Sequence, residues 1–415
     1  MRGSKPAVAG SSASAVAIIV ALAVALLGGC VGETSNPAST PPPSDAAVAS
    51  AAPFDPALRE QLDTVLDEGF EASGMPGVAV GLWIPGHEEW VATRGVSDVD
   101  AETPMDRANQ SKIGSITKTI VGQAALQVIG DGSAGLSLDD TIDRWYPDFP
   151  EAGDITVRML MNMSSGIGEP GQAQLDRICG DPYSMITPDE MIAIGATTPR
   201  ADFAPGEGMT YSGYNTFLLG RILEQTTGSE LGTLIEDRLL MPLGMTRSRF
   251  APDAVLDDPF NHGYSEFCPL WPRPTDTTDW TNHESWAAGA MLSTLDDLHL
   301  WGLAFGEGFG LSPELRAARI EDRAPVEVAP GYWYGLGANV HLDPESGCLL
   351  DLNHSGTEPG YGAHVQYFEG SGAVLALIGN GDGGTGHAFN EVLLPIVQAL
   401  PESVAATSST ACVSG

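Results

Sequence analysis

The chain has 415 residues, of which 43% are hydrophobic, so it can bury a large core as one large domain or two smaller ones. Charged residues make up 18% and glycine occupies 50 positions, a composition that excludes a coiled coil or a mostly disordered chain. The formal net charge of −35 repels phosphate backbones and anionic lipid headgroups, which argues against a nucleic-acid partner and against electrostatic membrane binding.

The N-terminus carries a targeting pattern. Arg2 and Lys5 precede an unbroken apolar run over residues 15–27, which predicts a secretory signal peptide over residues 1–29 with a core too short to span a bilayer. Leu27-Gly28-Gly29-Cys30 resembles the bacterial lipobox, in which Cys30 is lipidated and becomes the mature N-terminus. We therefore expect an extracytoplasmic protein held to the cell membrane by its lipid alone. Ordinary signal cleavage, giving a secreted protein, is the alternative.

The rest of the chain divides into a tether and one large domain. Residues 30–53 are rich in Ser, Pro and Ala and predict a linker without a packed core, and residues 54–415 form the predicted domain. Loss of the signal peptide removes Arg2 and Lys5 and no acidic residue, so the net charge would change from −35 to −37. Cysteines 179, 268, 348 and 412 remain, and an even number in an exported chain predicts two disulfides with three pairings open.

The predicted elements of this domain begin and end with strands. Apolar periodicity and turn residues predict, in chain order, a helix over 55–71, strands over 77–84 and 89–96, a helix over 115–129, a largely helical region over 134–250, strands over 334–340, 363–368 and 373–378, and a helix over 387–399. We therefore predict an α/β (α+β) fold, in which an antiparallel sheet built from both termini is flanked by helices. A mostly α-helical subdomain over about 134–285 would be inserted into it.

One serine stands beside a scarce lysine. After residue 29 the chain contains only two lysines, Lys112 and Lys118, and Ser115 lies three residues before Lys118 at the start of a predicted helix. At that spacing the two side chains share a face. A lysine can lose its proton when it is buried or placed near another cation, whereas an arginine stays charged. A neutral amine can then activate the serine as a nucleophile.

Two further motifs follow along the chain. Tyr211 comes after Pro205-Gly206 and before an apolar helix, where a phenol could relay a proton. His354-Ser355-Gly356-Thr357 is expected to precede a strand, and its small residues would let a substrate lie along a strand edge with a backbone N–H aimed at its carbonyl.

In this order, the three motifs resemble those of the serine β-lactamase and penicillin-binding protein superfamily, above all its class C β-lactamase and D-Ala-D-Ala carboxypeptidase-like branch. The resemblance extends over about residues 55–400. It includes the segments Asp154 to Arg158 with Ser165-Gly166, Ser285 to Gly289 with Leu292 to Thr294, and Tyr334 to Gly337.

The resemblance implies a role for each matching residue. Ser115 would form the acyl-enzyme, with either Lys118 or Tyr211 as the base, and His354 would stand where typical β-lactamases have a lysine. The backbone N–H groups of Ser115 and Thr357 would form the oxyanion hole. Further residues would bind the substrate or line the pocket: Ser355, Gly356 and Trp286. The resemblance also implies the disulfides Cys348–Cys412 and Cys179–Cys268, and it implies no metal and no organic cofactor.

Two positions depart from the branch. The second motif usually reads Tyr-x-Asn, but Gly213 stands in place of the asparagine, and we expect Asn215 to offer the amide instead. Carboxypeptidases of this branch carry an arginine on the strand before Cys348 that pairs with the substrate carboxylate, whereas this chain has Asn339 near that place. A neutral amide loses the bidentate charge pairing of such recognition.

These observations leave three functions open. The expected one is an exported serine acyl hydrolase, either a D-alanyl-D-alanine carboxypeptidase or a β-lactamase-like enzyme. An esterase or amidase of the same superfamily is the alternative that Gly213 and Asn339 favour. A non-catalytic penicillin-binding-like surface protein is the third. The expected substrate is a small molecule or peptide with an ester, amide or β-lactam carbonyl.

Overall fold

The computed structural model describes residues 51–405 apart from residues 170, 270 and 383–387. The predicted signal peptide, the lipidation site Cys30 and nearly all of the tether fall outside the described residues. Cys412 does so as well, and therefore the Cys348–Cys412 disulfide stays a prediction.

Strands from both ends of the domain form its central sheet. The strands of the described residues are β1 (Gly77–Trp83), β2 (Trp90–Asp98), β3 (Thr103–Pro104), β4 (Ser111–Lys112), β5 (Arg249–Phe250), β6 (Tyr264–Ser265), β7 (Thr275–Asp276), β8 (Met291–Ser293), β9 (Tyr332–Gly335), β10 (Ala338–Leu342), β11 (Leu349–Glu358), β12 (Tyr361–Phe368) and β13 (Ala373–Gly379). Eight of them form one sheet in the order β3-β2-β1-β13-β12-β11-β10-β9, and every neighbouring pair is antiparallel. This confirms the predicted fold class, because β1 pairs directly with β13.

Helices cover both faces of the sheet. The helices of the described residues are α1 (Pro56–Ser73), α2 (Thr117–Asp131), α3 (Val157–Met161), α4 (Gln172–Gly180), α5 (Pro188–Thr197), α6 (Gly213–Thr227), α7 (Leu231–Ile235), α8 (Met241–Leu243), α9 (Trp286–Gly289), α10 (Leu295–Glu307), α11 (Pro313–Glu321), α12 (Ala388–Ala399) and α13 (Glu402–Ala405). Short 3-10 turns cover Gly114–Ile116 and Ile142–Arg144, and a π-helical turn covers Glu236–Leu240. None of the helices in the described residues is long and apolar enough to span a membrane.

Helices α1 and α12 cover one face of the sheet, which we call the outer face. The side chain of Asp55 caps α1 by accepting the N–H groups of Ala57 and Leu58, and Leu62 and Leu66 of α1 are fully buried. A Cβ atom at Gly69 would collide with the backbone of α12, so this glycine lets the two helices approach closely.

The inner face of the sheet packs against α2 and α10, and α2 lies in turn against α6 of the helical region. Residues 117–128 of α2 are all buried, which makes it the central helix of the larger hydrophobic core. The predicted disulfide Cys179–Cys268 is confirmed, with 5.4 Å between its Cα atoms, and it ties α4 to the loop between β6 and β7.

One predicted strand assignment was wrong, and one strand was not predicted. The single strand predicted over 334–340 is a hairpin of β9 and β10, because the chain turns at Leu336-Gly337, where Gly337 has a φ of 78°. The motif beginning at His354 does precede a strand, β12, but it also lies inside the unpredicted strand β11, which ends only before the Pro359-Gly360 turn.

Candidate active site

Ser115 and Lys118 are in direct contact. Ser115 lies in the 3-10 turn Gly114–Ile116 that leads into α2, and Lys118 follows in the first turn of that helix. The Nζ atom of Lys118 lies 2.9 Å from the Oγ atom of Ser115. Predicted spacing and observed geometry agree, because residues three apart share one face of a helix.

Lys118 is held by a second contact. Its side chain is buried, and Nζ also donates to the backbone carbonyl of Ala288, at 2.9 Å. A neutral amine that donates one N–H to this carbonyl keeps its lone pair for the serine hydroxyl. Ala288 belongs to the Ser285 to Gly289 segment that the sequence singled out, but the residue that acts there is its backbone, not its side chain.

Tyr211 completes the predicted cluster. Nζ of Lys118 lies 5.0 Å from the centre of the Tyr211 ring, and this ring lies 6.2 Å from the ring of His354. Tyr211 precedes α6 and is 37% exposed, so its phenol borders the open side of the cleft. The structure therefore brings together the four side chains that the sequence proposed as catalytic.

His354 is neutral and fixed in one orientation. Burial, together with the smaller effect of the nearby Lys118, lowers its pKa to about 3. Its Nδ1 atom lies 2.6 Å from the carbonyl oxygen of Ser355, and its Nε2 atom lies 3.1 Å from the hydroxyl of Tyr334. Because a carbonyl can only accept, we assign the proton to Nδ1, and Nε2 accepts from Tyr334.

The backbone of β11 lies against the serine turn. β10 pairs with β11 only as far as Asn353, which leaves the edge of residues 354–358 free on that side. A Cβ atom at Gly356 would collide with the carbonyl of Ile113 and lie 2.8 Å from the backbone nitrogen of Ser115. A Cβ atom at Gly114 would lie 2.5 Å from the backbone nitrogen of Thr357. The backbone around the two predicted oxyanion donors, Ser115 and Thr357, is therefore closely packed, and these two segments lie side by side.

Three predicted substrate contacts point elsewhere. Ser355 shares a hydrogen bond of 2.8 Å with Nδ1 of His364, because alternation along β11 turns its side chain to the face opposite His354. Asn215 is fully buried in α6, where its Oδ1 accepts from Ser165 and its Nδ2 donates to the sulfur of Met163. Its amide is therefore used inside the core and does not replace the missing asparagine.

Trp286 is the third residue that was expected at the active site and lies elsewhere. It is buried, and its ring packs against Phe217 and Phe250, with centroid separations of 5.6 and 6.2 Å. Gly220 of α6 leaves the space that this ring fills. Trp286 therefore serves the helical core and borders an open groove with residues of α6 and β5, not the cleft of Ser115.

The position expected to bind a carboxylate offers no charge. The side-chain amide of Asn339 in β10 donates to Oδ1 of Asn353 at 3.2 Å, so it is used within the sheet. His354 is neutral as well, so neither of these two positions offers a positive charge to a substrate carboxylate.

Several residues that shape the site were not predicted from the sequence. Tyr334 lies in a segment that it singled out, but a role for its hydroxyl could not be inferred before the β9–β10 hairpin was known. Glu169 lies four residues after Ser165, and its Oε2 accepts the backbone N–H of Gly213 at 2.8 Å. Glu169 is exposed at the surface, but the protein atoms around its carboxyl partly desolvate it and raise its pKa, against the opposing effects of the Gly213 N–H and of Lys118. Among the described residues, no three His, Cys, Asp or Glu side chains gather in a way that could hold a metal ion.

Comparison with known proteins fits this arrangement. The sequence model of the Beta-lactamase family matches residues 62–394. The chain belongs to the Beta-lactamase family.

Curated relatives within the Beta-lactamase family differ in activity. The chain is 29% identical over 201 residues to Esterase EstB of Burkholderia gladioli, covering 45% of this chain and 50% of the esterase. It is 24% identical over 280 residues to Penicillin-binding protein 4* of Bacillus subtilis, covering 64% and 60%. It is 28% identical over 184 residues to a D-aminopeptidase of Brucella anthropi, covering 44% and 34%. The chain thus spans between about a third and three fifths of these relatives.

Solved structures match over a longer range. The D-amino acid amidase from Ochrobactrum anthropi SV3, complexed with L-phenylalanine amide, superposes with a TM-score of 0.68 at 26% identity, covering 83% of this chain and 99% of the amidase. An octameric penicillin-binding protein homologue from Pyrococcus abyssi gives 0.67 at 27% identity, covering 83% and 79%.

Proposed function

We propose that this protein is a serine acyl hydrolase that forms an acyl-enzyme on Ser115 and prefers amides or esters with an amino group on the acyl side. The observation that carries the hydrolase assignment is the 2.9 Å contact between Ser115 Oγ and Lys118 Nζ, beside two backbone N–H groups at the mouth of β11. The observation that favours an amino group is the carboxyl of Glu169.

The chemistry begins with proton transfer from the serine. Lys118 takes the hydroxyl proton as Ser115 Oγ bonds to the substrate carbonyl carbon, and the carbonyl oxygen gains negative charge between the N–H groups of Ser115 and Thr357. The proton then passes to the departing amine or alcohol as its bond to carbon breaks. Water removes the acyl group by the same steps in reverse. The short contact favours Lys118 as the base, with Tyr211 beside it as the relay to the leaving group.

The residues around Ser115 favour a substrate that carries a positive charge. Glu169 is accessible to solvent, bonds to the N–H of Gly213 two residues after Tyr211, and interacts electrostatically with Lys118. A carboxylate there attracts an ammonium group. The net charge of −35 acts in the same direction. The similar D-amino acid amidase was solved with an amino acid amide, a molecule that carries an amino group next to its scissile carbonyl.

A carboxypeptidase acting on D-alanyl-D-alanine needs a cation for the terminal carboxylate. The neutral ring of His354 and the internally bonded amide of Asn339 give it none. These two residues make that activity, and β-lactam hydrolysis with it, the second candidate.

One substrate panel separates these possibilities. The whole chain is incubated with D- and L-phenylalanine amide, their N-acetyl derivatives, a p-nitrophenyl ester and a fluorescent penicillin. We expect turnover of the ester and of an amide with a free amine, and at least about tenfold slower turnover of the N-acetyl amide, because the loss of a hydrogen bond to a charged group costs about 1.5–3 kcal/mol. Glu169→Gln should remove this preference, whereas Glu207→Gln, at an exposed acid, should keep it. A stable penicillin adduct without ester turnover would instead support the penicillin-target function.

We also propose that the enzyme works outside the cytoplasm on a lipid anchor at Cys30. The apolar run over residues 15–27 supports export, and so does the Cys179–Cys268 disulfide, because such bonds persist in oxidising compartments. Labelling of cells with radioactive palmitate should mark the wild type and not Cys30→Ser. An unlabelled wild type found in the medium would favour ordinary secretion.

A further inference from the structure

A buried carboxylate lies four residues before the carbonyl that holds Lys118. Glu284 is 6% exposed, and Ala288, whose carbonyl accepts from Lys118, follows it in α9. Both carboxylate oxygens of Glu284 accept hydrogen bonds from Arg177 of α4. Nη2 of Arg177 lies 2.9 Å from Oε2, and Nε lies 3.1 Å from Oε1 and 3.2 Å from Oε2. A guanidinium that bonds to both oxygens of a carboxylate fixes its orientation as well as balancing its charge.

Helix α4 also holds the backbone of this segment. The side-chain amide of Gln174, one turn before Arg177, donates to the backbone carbonyl of Glu284 at 2.9 Å. The other end of α4 is itself fixed, because Cys179 forms the disulfide with Cys268. Two contacts from a covalently anchored helix therefore meet at Glu284.

The backbone between Glu284 and Ala288 is strained. Trp286 has a φ of 28°, in the left-handed region that a bulky residue rarely adopts. Such a conformation costs free energy and persists only where its surroundings impose it. The ring of Trp286 is fixed against Phe217 and Phe250, and Glu284 is fixed by α4. The two attachments lie on either side of the strained bond, two residues before the carbonyl that Lys118 contacts.

A buried ion pair is often less stabilising than apolar residues of the same volume, so stability alone gives little reason for this one. We propose that Arg177 and Glu284 are positioning residues, whose ion pair holds the strained segment in place. The Ala288 carbonyl then stays within hydrogen-bonding distance of Lys118 and keeps its amine directed at Ser115. The pair acts through Ala288 and does not touch the substrate. This inference rests on the proposed hydrolase function, but on no particular substrate.

The test compares Glu284→Gln, Arg177→Met and the double variant with the wild type on a p-nitrophenyl ester. We expect kcat of each single variant to fall about 10- to 100-fold with KM nearly unchanged, because a small displacement of Lys118 from Ser115 slows proton transfer. The double variant should be no slower than the slower single variant, since both changes break one contact. It contains no isolated buried charge, so it should also fold. Labelling of Ser115 by a fluorophosphonate should slow in parallel.

Glu369→Gln serves as the matched control. It removes the carboxylate of an ion pair with Arg316, and the arginine side chain is 30% exposed in this pair as in that of Arg177. Glu369 directly follows β12, at the end of that strand away from Gly362, which pairs with Thr357. This variant should therefore keep the wild-type kcat.

Three results would overturn the inference. Wild-type kcat in the double variant would show that the pair is not needed for positioning. A rise in KM with unchanged kcat would mean that the pair contacts the substrate. A double variant that does not fold would mean that the pair serves the fold as a whole. A wild type without ester turnover would instead refute the proposed function itself.

Discussion

At the scale of single residues, the hydroxyl of Tyr334 controls the state of His354. Tyr334 is buried and donates to Nε2, which fixes the ring with its proton on Nδ1. A histidine held in this way presents a neutral ring towards Tyr211 and Lys118 and adds no positive charge to the cleft.

Removal of that hydroxyl should therefore disturb catalysis. We expect Tyr334→Phe to lower kcat about tenfold, because the Nε2 acceptor loses its partner and the loss of one buried hydrogen bond costs about 1–3 kcal/mol. Tyr332→Phe is the control. Tyr332 lies two residues before Tyr334 in the same strand, but its ring stacks on His341. Steady-state kinetics on one ester measure both. Equal rates for Tyr334→Phe and the wild type would show that the ring needs no such support.

Residues whose positions depend on local helix geometry could be predicted from the sequence, whereas residues whose positions depend on tertiary packing could not. Ser115 and Lys118 could be predicted because three residues of helix fix their distance, and the ordered motifs added Tyr211 and His354. Trp286, Asn215 and Ser355 could not be placed, because the direction of each side chain depends on the packing of α6 and on the phase of β11. Glu169 reaches the site only through tertiary contacts, which the sequence does not show.

At the scale of elements, the approach of β11 to the serine turn decides whether an oxyanion hole exists. Gly356→Ala places a methyl group against the carbonyl of Ile113 and the nitrogen of Ser115, and must push the strand away. We expect kcat to fall about 10²–10³-fold, the usual cost of one lost oxyanion donor. Gly153→Ala has open space around its Cβ and should keep the wild-type rate. An active Gly356→Ala would contradict the role given to β11.

The elements themselves were largely predictable. Strands such as β1 and β13 are continuous apolar runs bounded by turns, and α1 shows helical periodicity with Asp55 as its cap. The β9–β10 turn was missed because Leu336 is buried and apolar, so the sequence reads as one run. A turn that is buried against neighbouring elements lacks the polar residues that mark turns at a surface.

At the scale of the whole molecule, two buried histidines couple stability to pH. Burial lowers the pKa of His354 to about 3 and the pKa of His364 to about 4, while an unfolded histidine titrates near 6.5. Between these folded and unfolded pKa values, the two histidines bind protons in the unfolded chain but not in the folded chain. Stability from these groups is complete above pH 6.5 and is lost as the pH falls from about 6.5 towards 4.

Urea denaturation at a series of pH values measures this effect. Each histidine should contribute a slope of up to about 1.4 kcal/mol per pH unit in that window. His364→Gln should reduce the slope relative to the wild type, and His87→Gln, at an exposed position, should leave it unchanged. A slope unaffected by His364→Gln would mean that His364 takes up its proton in the folded state as readily as in the unfolded chain.

The most direct test of the account follows the acyl group itself. The wild type, Ser115→Ala and Lys118→Arg are mixed with p-nitrophenyl acetate, quenched in acid and analysed by peptide mass spectrometry. The wild type should carry one acetyl group on the peptide that contains Ser115 and on no other. Ser115→Ala should carry none and lose about 10⁵-fold or more in turnover, and Lys118→Arg should acylate about 10²–10⁴-fold more slowly, because a guanidinium cannot take the proton. Acetylation of a different residue, or wild-type acylation in Lys118→Arg, would contradict the central role of this pair.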